Sequence, residues 1–411
     1  MRRKPLFPPP HDKMTGKKKR YKGRQSKNVL TVNGKVTLRR CWWHSPGEGS
    51  EAPVDSSIDA EGRTVTPGVL EMISRINNDS TAFTAAAENL QRLAMIPMSD
   101  EQLRKLVLAE GRAVLKAQQA NTIPPAFQAK DCLVDPQKPD GKTRIYTGTD
   151  GVMVPIIRDS EKEKRRKKTC EKRKLSGKKC RPLPPRNKGA DQSFKEFKVV
   201  VFYNEPGTLW HERLSRGKRN TVGAMMRREA QRLNFVGADE RVGIVDGASW
   251  IQNQLEEQPW GLSGLGLDFY HLGENVHRCR RILYSEKSPE GEAWANDMMH
   301  TFKHAGFTAA MDKLTALRST LRSPTKKAAL DRLINYVVQR KDMISYPEFI
   351  EKGWQIGSGP TESRCKTSTF RLKGRGRRWD SKNAEAIAAL TTLKDSNQWK
   401  HYWKTPSTVK T

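Results

Sequence analysis

The chain of 411 residues has little cysteine and lacks a long apolar run. Its six cysteines are widely scattered and form no CxxC pair, so neither a zinc module nor a disulfide framework is indicated. No stretch of about 18 apolar residues is present, which argues against a membrane-spanning helix. The charged N-terminal segment is not followed by an apolar stretch, so it does not resemble a secretory signal. We therefore expect a cytoplasmic protein with reduced thiols.

Acidic residues are also in deficit. The chain has 76 Lys and Arg residues against 45 Asp and Glu residues, and its formal net charge is +31. A surplus of this size indicates a polyanionic partner, of which nucleic acid is the commonest. An anionic membrane surface is the less favoured partner, because no basic amphipathic helix with a large apolar face stands out. Ten Trp and twelve Phe residues argue against overall disorder, and the length corresponds to two or three domains.

The positive charge is concentrated in three blocks. Residues 1–28 contain Asp12 as their only acid, and their Pro- and Lys-rich composition predicts a disordered basic arm. A second block covers 161–188, within a predicted basic insertion at 159–192, and a third covers 364–382. A single charged block is usually a solvated surface, but three such blocks in one chain favour nucleic-acid binding.

A β-hairpin and a helical unit are predicted near the N-terminus. Alternating apolar residues flank Asn33 and Gly34, a strong two-residue turn signal. Pro67 predicts the start of one helix, and Ser80 and Ser99 are candidate N-caps of two more. These helices form either a helix-turn-helix DNA reader or a plain bundle. The bundle is slightly favoured, because no side chain identifies a recognition helix.

An α/β pattern follows. Residues 143–158 read as two strands around Asp150 and Gly151, and a β-branched, aromatic run near residue 200 reads as a third strand. A helix, a short apolar strand ending at Asp246, a second helix and a last strand come next. Three antiparallel strands followed by βα units are the order of the ribonuclease H-like fold. The block 161–188 then falls in a loop between the second and third strands.

The rest of the chain is almost entirely helical in pattern, interrupted by Ser-Pro and Gly signals. The predicted divisions of the chain are the arm at 1–28, the hairpin and helical DNA-binding region at 29–130, the first part of the catalytic domain at 143–272, an all-α segment at 273–352 and C-terminal helices at 353–405.

Three acids are candidates for phosphodiester chemistry. Two Mg²⁺ ions about 3.5–4 Å apart, held by hard oxygen ligands, can activate a nucleophile and stabilise a leaving oxygen. Asp150 and Asp246 end predicted strands, and Glu362 lies in the first turn of a predicted helix. Each has a plainer interpretation: a turn residue, a helix cap and an ordinary N-terminal helix acid. Asp268 and His271 are weaker metal-ligand candidates, since a lone histidine is more often structural.

Several motifs together resemble insertion-sequence DDE transposases of the ISKra-like kind. The resemblance covers about residues 30–405 and is carried by strings of high specificity. They are WQIGSGPTESRCK at 354–366, RLKGRGRRW at 371–379, VDGASWI at 245–251, LDFYH at 267–271 and TDGVMVPI at 149–156.

This resemblance implies a ribonuclease H-like catalytic domain interrupted by an all-α insertion. It assigns the DDE triad to Asp150, Asp246 and Glu362, which would hold two Mg²⁺ ions, with Mn²⁺ as an alternative. Asp268 and His271 are similar to a supporting D-x-x-H element. The implied activity is that of a nucleoid-associated DNA transposase, which cleaves insertion-sequence ends and joins 3′-hydroxyls to target DNA as a homo-oligomer.

Basic residues that follow the third acid are expected to grip DNA phosphates near the site. They are Arg364, Lys366, Arg371, Lys373, Arg375, Arg377 and Arg378. Two alternatives stay open at this point. One is a catalytically silent DNA-binding protein derived from a transposase, and the other is an RNA-binding structural protein in which the basic blocks carry all of the function.

Overall fold

The computed structural model describes residues 8–58, 62–177, 181–256, 260–374 and 376–404. The chain divides into two compact units, one built from residues up to Ala120 and the other from Asn121 onward. Within the described ranges, no helix is long and apolar enough to span a membrane.

The first unit combines a three-stranded antiparallel sheet, in the order β1-β2-β3, with helices. Its elements are β1 (Arg20–Thr31), β2 (Gly34–Ser45), β3 (Gly49–Glu51), α1 (Asp55–Ile58), α2 (Pro67–Asp79), α3 (Phe83–Ala94) and α4 (Asp100–Gln119). The predicted hairpin is confirmed, with Thr31 paired to Gly34 across the turn. Helices α2, α3 and α4 contact one another and bury Ile73, Leu90 and Leu103, so they form a small bundle.

Two expectations for this unit are wrong. Residues 20–28, predicted to belong to a disordered arm, are part of β1 and pair with β2. Composition predicted disorder because these side chains bury little apolar area, but pairing with β2 uses the backbone groups instead. Ser80 does not cap α3; its hydroxyl donates to the carbonyl of Ile76 at the end of α2. Ser99 does cap α4, as predicted.

The second unit is a mixed α/β fold. Its first elements are β4 (Arg144–Pro155), α5 (Asp159–Leu175), β5 (Phe194–Asn204), β6 (Trp210–Ser215), α6 (Arg219–Arg232), β7 (Glu240–Val245), α7 (Ser249–Glu256) and β8 (Gly264–Leu267). They are followed by α8 (Phe269–Leu283), α9 (Pro289–His304), α10 (Gly306–Thr320), α11 (Pro324–Val338), α12 (Tyr346–Glu351), α13 (Gly359–Thr369), α14 (Ser381–Asp395) and α15 (Trp399–Lys404).

Five strands form the sheet of this unit, in the order β6-β5-β4-β7-β8. Strands β4, β5 and β6 are antiparallel neighbours, whereas β7 is parallel to both β4 and β8. One face of the sheet is covered by the cluster that includes α6 and the helices α8 to α11. The opposite face packs against α12 and α13. Both faces are therefore buried, as expected where helices follow parallel strands.

The predicted hairpin at Asp150 is wrong. Strand β4 continues through this position and pairs with β5 from Ile145 to Pro155 without a turn. A Cβ added to Gly151 would lie 2.1 Å from the carboxylate of Glu196, so this glycine makes room for a cross-strand side chain rather than forming a turn. The third antiparallel strand is β6, which the sequence pattern missed. The segment between β4 and β5 contains α5 where a loop was predicted.

Candidate active site

Strand alternation places two of the candidate acids on one face of the sheet. Successive side chains of a strand point to opposite faces, so residues two apart share a face. Tyr146 and Val152 of β4 are buried in one cluster with Ile244 of β7. Asp150 lies four residues after Tyr146, so it is on the same face of the sheet. Asp246 comes two residues after Ile244, directly after the end of β7, so it follows the face of Ile244. Both acids thus belong to the face covered by α13.

Asp246 and Asp268 follow neighbouring parallel strands. Val245 of β7 pairs with Leu267 of β8, and the backbone N–H of Asp268 donates to the carbonyl of Val245 at 2.8 Å. The carboxyl ends of parallel strands meet at one edge of a sheet, where α/β proteins usually place their sites. The two acids therefore lie side by side at this edge.

Helix α13 brings Glu362 to the same face. A Cβ added to Gly148 of β4 would lie 2.1 Å from the hydroxyl of Thr361, so the glycine permits a close approach of the helix to the strand. One turn further, Cys365 is buried against the sheet; burial raises the pKa of its thiol, and a hydrogen bond to Asp150 contributes. Glu362 itself is exposed to solvent in the first turn of the helix.

The charges at this edge affect one another. Burial raises the pKa of Asp246, and the negative charge of Asp150 adds to that effect. The N–H of Ala248, which donates to Asp246 at 2.8 Å, and the charges of His271 and Arg340 act in the opposite direction. Repulsion between two neighbouring carboxylates is relieved when a divalent cation binds between them.

Asp268 is fully buried and acts as an anchor for two helices. One of its oxygens accepts the N–H groups of Tyr270 and His271 at 2.6 and 2.9 Å, which caps α8. Its other oxygen accepts the N–H of Ser358 at 2.5 Å. The carbonyl of Ser358 in turn accepts the N–H of Glu362 at 3.0 Å. Asp268 therefore fixes the start of α13, which carries the third acid.

A candidate metal-ligand cluster includes Asp268 and His271, the residues of the predicted supporting D-x-x-H element. Asp268, His271 and Glu362 each offer one ligand atom, and these atoms all lie within 4.8 Å of one another. The Nδ1 atom of His271 also lies 3.6 Å from Glu274. The edge thus combines carboxylate oxygens with one imidazole, and the backbone hydrogen bonds of Asp268 favour an orienting role for that residue.

Three of the arginines expected to grip phosphates make internal contacts. The guanidinium of Arg364 lies 3.9 Å from the ring centroid of Trp210. Arg371 is only 3% exposed, and burial lowers its pKa to about 10. Arg377 donates to the carbonyls of Phe370 and Arg371. The stem and guanidinium of Arg371 pack inside the fold, which argues against the predicted contact with a phosphate.

The other predicted cations are arranged differently. Lys366 and Lys373 are exposed and have no ion-pair partner in the part of the chain that the structure describes. Arg378 is half exposed and pairs with Glu161 of α5 at 2.7 Å. Arg375 lies outside the described residues.

Sequence reasoning missed Arg340, which follows α11. Its Nε atom donates to the carbonyl of Gly247 at 2.9 Å, directly after Asp246, and its guanidinium lies 4.1 Å from the ring centroid of Tyr336. Gly247 has a φ of +78°, a conformation that favours glycine. No motif marks Arg340; only the glycine after Asp246 signals an unusual turn there.

Comparisons with known proteins add a distant likeness to solved structures. No family model matches the chain, and no curated protein matches it. Among solved structures, the chain is similar to one from the Drosophila P element transposase strand transfer complex. The TM-score is 0.26 at 10% identity, over 81% of this chain and 80% of that one.

Proposed function

We propose that this protein is a DNA transposase with a ribonuclease H-like catalytic domain. The observation that supports the proposal is that the charge of Asp150 acts on Asp246 and that α13, which carries Glu362, packs on the sheet face containing Tyr146 and Ile244. Three antiparallel strands followed by two parallel strands are the order expected for that fold, and the sheet order supports it. The helices from α8 to α11 would be the all-α insertion between the second and third acids.

The residue types at this edge suit two Mg²⁺ ions, with Mn²⁺ as an alternative, since carboxylate oxygens are the ligands that hard cations prefer. Among the described residues, the cluster whose ligand atoms lie within 4.8 Å of one another contains Glu362 but not Asp150 or Asp246. Asp150 accepts the N–H of Gly151 at 2.6 Å through one oxygen, and Asp246 accepts that of Ala248 in the same way, so in each acid the other oxygen accepts no backbone N–H. When bound, such ions activate an oxygen nucleophile and stabilise the leaving oxygen of a phosphodiester.

The surrounding residues would hold these acids in place. Asp268 positions Glu362 through Ser358, and Arg340 holds the turn after Asp246. Exposed Lys366 would attract the DNA backbone beside the site. Transposition requires two element ends to be paired, so the active form would be a homo-oligomer on DNA, associated with the nucleoid.

The test is to incubate the purified protein with the DNA that flanks its gene and Mg²⁺, and to map the cuts. Wild-type protein should cleave at the element ends and join the 3′-hydroxyls to target DNA. Asp246→Asn should abolish cleavage without loss of DNA binding, because asparagine keeps the hydrogen bond to Ala248 but removes the charge. Asp312→Asn, at an exposed position on α10, is the matched control and should cleave normally.

The alternative is a catalytically silent DNA-binding protein derived from a transposase. It predicts that the wild-type protein binds the element ends but never cuts them with Mg²⁺ or Mn²⁺, and that Asp246→Asn changes nothing. That outcome would overturn the enzymatic proposal.

A further inference from the structure

A groove of about 750 Å³ runs along α8, beginning beside the candidate active site. Its lining residues recur every three or four positions, so they form one face of the helix. They are Tyr270, Gly273, Glu274, His277, Arg278 and Arg281. Met299 of α9 contributes to the opposite wall. None of these residues belongs to the proposed catalytic set.

The end of the groove nearest the active site presents an aromatic ring. Tyr270 comes two residues after Asp268, and its backbone N–H is held by that carboxylate. Its side chain is 70% exposed, and its ring lies beside Gly357, the residue before Ser358. The backbone is therefore fixed while the ring remains open to solvent. Such a ring is a stacking platform for an unpaired base, because every base has a π-face.

The middle of the groove is apolar. A Cβ added to Gly273 would lie 3.3 Å from the Cε atom of Met299, so the glycine lets this side chain of α9 pack closely against α8. Gly273 is buried, and the methionine side chain is flexible and apolar. Together they form an apolar floor next to Tyr270.

The far end of the groove is basic. Arg278 and Arg281 are exposed, and Arg281 has no ion-pair partner among the residues that the structure describes. Arg278 donates one hydrogen bond, at 3.1 Å, to the side-chain oxygen of Asn275. The acid of this face, Glu274, lies 3.6 Å from His271. Positive charge therefore predominates at the end of the groove that is far from the catalytic edge. The phosphates of a bound strand would lie at that end.

We propose that this groove binds a short stretch of unpaired DNA strand, with a base stacked on Tyr270 and the phosphates of its neighbours at Arg278 and Arg281. From Tyr270 to Arg281, α8 rises by about 16 Å, which spans a few nucleotides. The inference rests on the proposed function, because that function brings a cleaved strand to the adjacent edge.

The test measures DNA binding by the full-length protein without Mg²⁺, so that it does not depend on cleavage. A fluorescent ten-nucleotide oligo-dT and a 25-base-pair duplex are the probes, with affinity read by fluorescence anisotropy. Tyr270→Ala should weaken binding of oligo-dT by at least about fivefold, the lower bound for loss of one stacked base, and leave duplex binding unchanged. Tyr270→Phe should restore the affinity for oligo-dT, since the ring is retained.

Phe194→Ala removes another exposed aromatic ring, at the start of β5, and is the matched control with no expected effect. Arg281→Ala should reduce the slope of log affinity against log salt for oligo-dT by about 0.7, as for one lost phosphate contact. The inference is overturned if the wild-type protein does not bind oligo-dT, if Tyr270→Ala leaves that binding intact, or if it weakens both probes equally. If the protein binds oligo-dT through Tyr270 but never cleaves DNA, the inference about the groove stands and the transposase proposal is overturned.

Discussion

The two basic segments of the second unit use their charge in different ways. In α5, no residue is buried, and Lys164, Lys168 and Lys172 recur every four positions along one face. All three lysines are exposed, without an ion-pair partner in the described residues. Like charges at this spacing destabilise an isolated helix, so their placement is consistent with a polyanionic partner.

The segment after Glu362 is equally basic, yet much of it is structural. Arg364 stacks on Trp210, and Arg371 is buried. Two arginines of α5 are structural as well. Arg166 and Arg173 each donate a hydrogen bond to a backbone carbonyl of the following loop at 2.7 Å. The planar guanidinium, with five donors, binds carbonyls and stacks on rings, whereas the lysine ammonium keeps its water. In these two segments Arg166, Arg173, Arg364 and Arg371 therefore carry structural charge, whereas Lys164, Lys168 and Lys172 stay available.

Replacement of Arg371 should have the largest effect. Arg371→Ala should lower the free energy of unfolding by about 2 to 3 kcal/mol, because the buried stem and the guanidinium over Trp379 are both lost. Urea unfolding measures this change. Lys373→Ala, two residues along and exposed, is the control and should change stability by less than about 0.5 kcal/mol. If both variants changed the free energy of unfolding by similar amounts, Arg371 would not be a structural residue and the contrast with the exposed lysines of α5 would be lost.

Removal of the free lysines of α5 should reduce DNA binding without affecting stability. The triple variant K164A/K168A/K172A should lower the slope of log affinity against log salt for duplex DNA by about 2 to 3, if each lysine neutralises one phosphate. K287A/K303A/K326A removes the same charge from the turn before α9 and from α9 and α11, and is the matched control. Equal losses from both triple variants would mean that net charge, and not the α5 face, governs binding.

A further effect on stability is expected at Glu212, an acid buried beneath the basic segment that follows Glu362. Burial raises the pKa of Glu212 to about 8, and the charge of Asp395 adds to this effect. The hydroxyl of Ser368 donates to the Glu212 carboxyl at 2.9 Å and acts in the opposite direction. The folded protein thus keeps a proton that the unfolded chain loses above its ordinary pKa of 4.5, so this contribution to stability declines as the pH rises towards 8.

Glu212→Gln replaces the carboxyl by a neutral group of the same shape. Its Tm should match that of the wild-type protein near pH 5 and exceed it by several degrees near pH 8, since only the wild-type protein loses this contribution as the pH rises. Thermal unfolding between pH 5 and pH 9 measures the difference. Parallel curves for the two proteins would show that Glu212 is already ionised in the folded state.

Local signals in the sequence were sufficient to predict the ends of those helices and strands that are set by neighbouring residues. The hairpin turn before Gly34 and the helix starts at Pro67 and Ser99 were predicted correctly. The same signals failed at Asp150, where the glycine that follows serves a cross-strand contact with Glu196 instead of a turn. The acids of the candidate site were chosen by residue type and resemblance, and their catalytic roles stay a prediction.

The sequence by itself determined the net charge, the approximate positions of most helices and strands, and a short set of candidate acids. Only the tertiary structure decided which residues share a space: that Asp268 anchors Ser358 ahead of Glu362, that Arg340 reaches the turn after Asp246, and that Arg371 is buried. The reason is physical. A residue's type and near neighbours set its local backbone preference, but its solvent exposure and its partners depend on segments far away along the chain. Lys162 and Asp380, for example, form an ion pair although they lie 218 residues apart in the sequence.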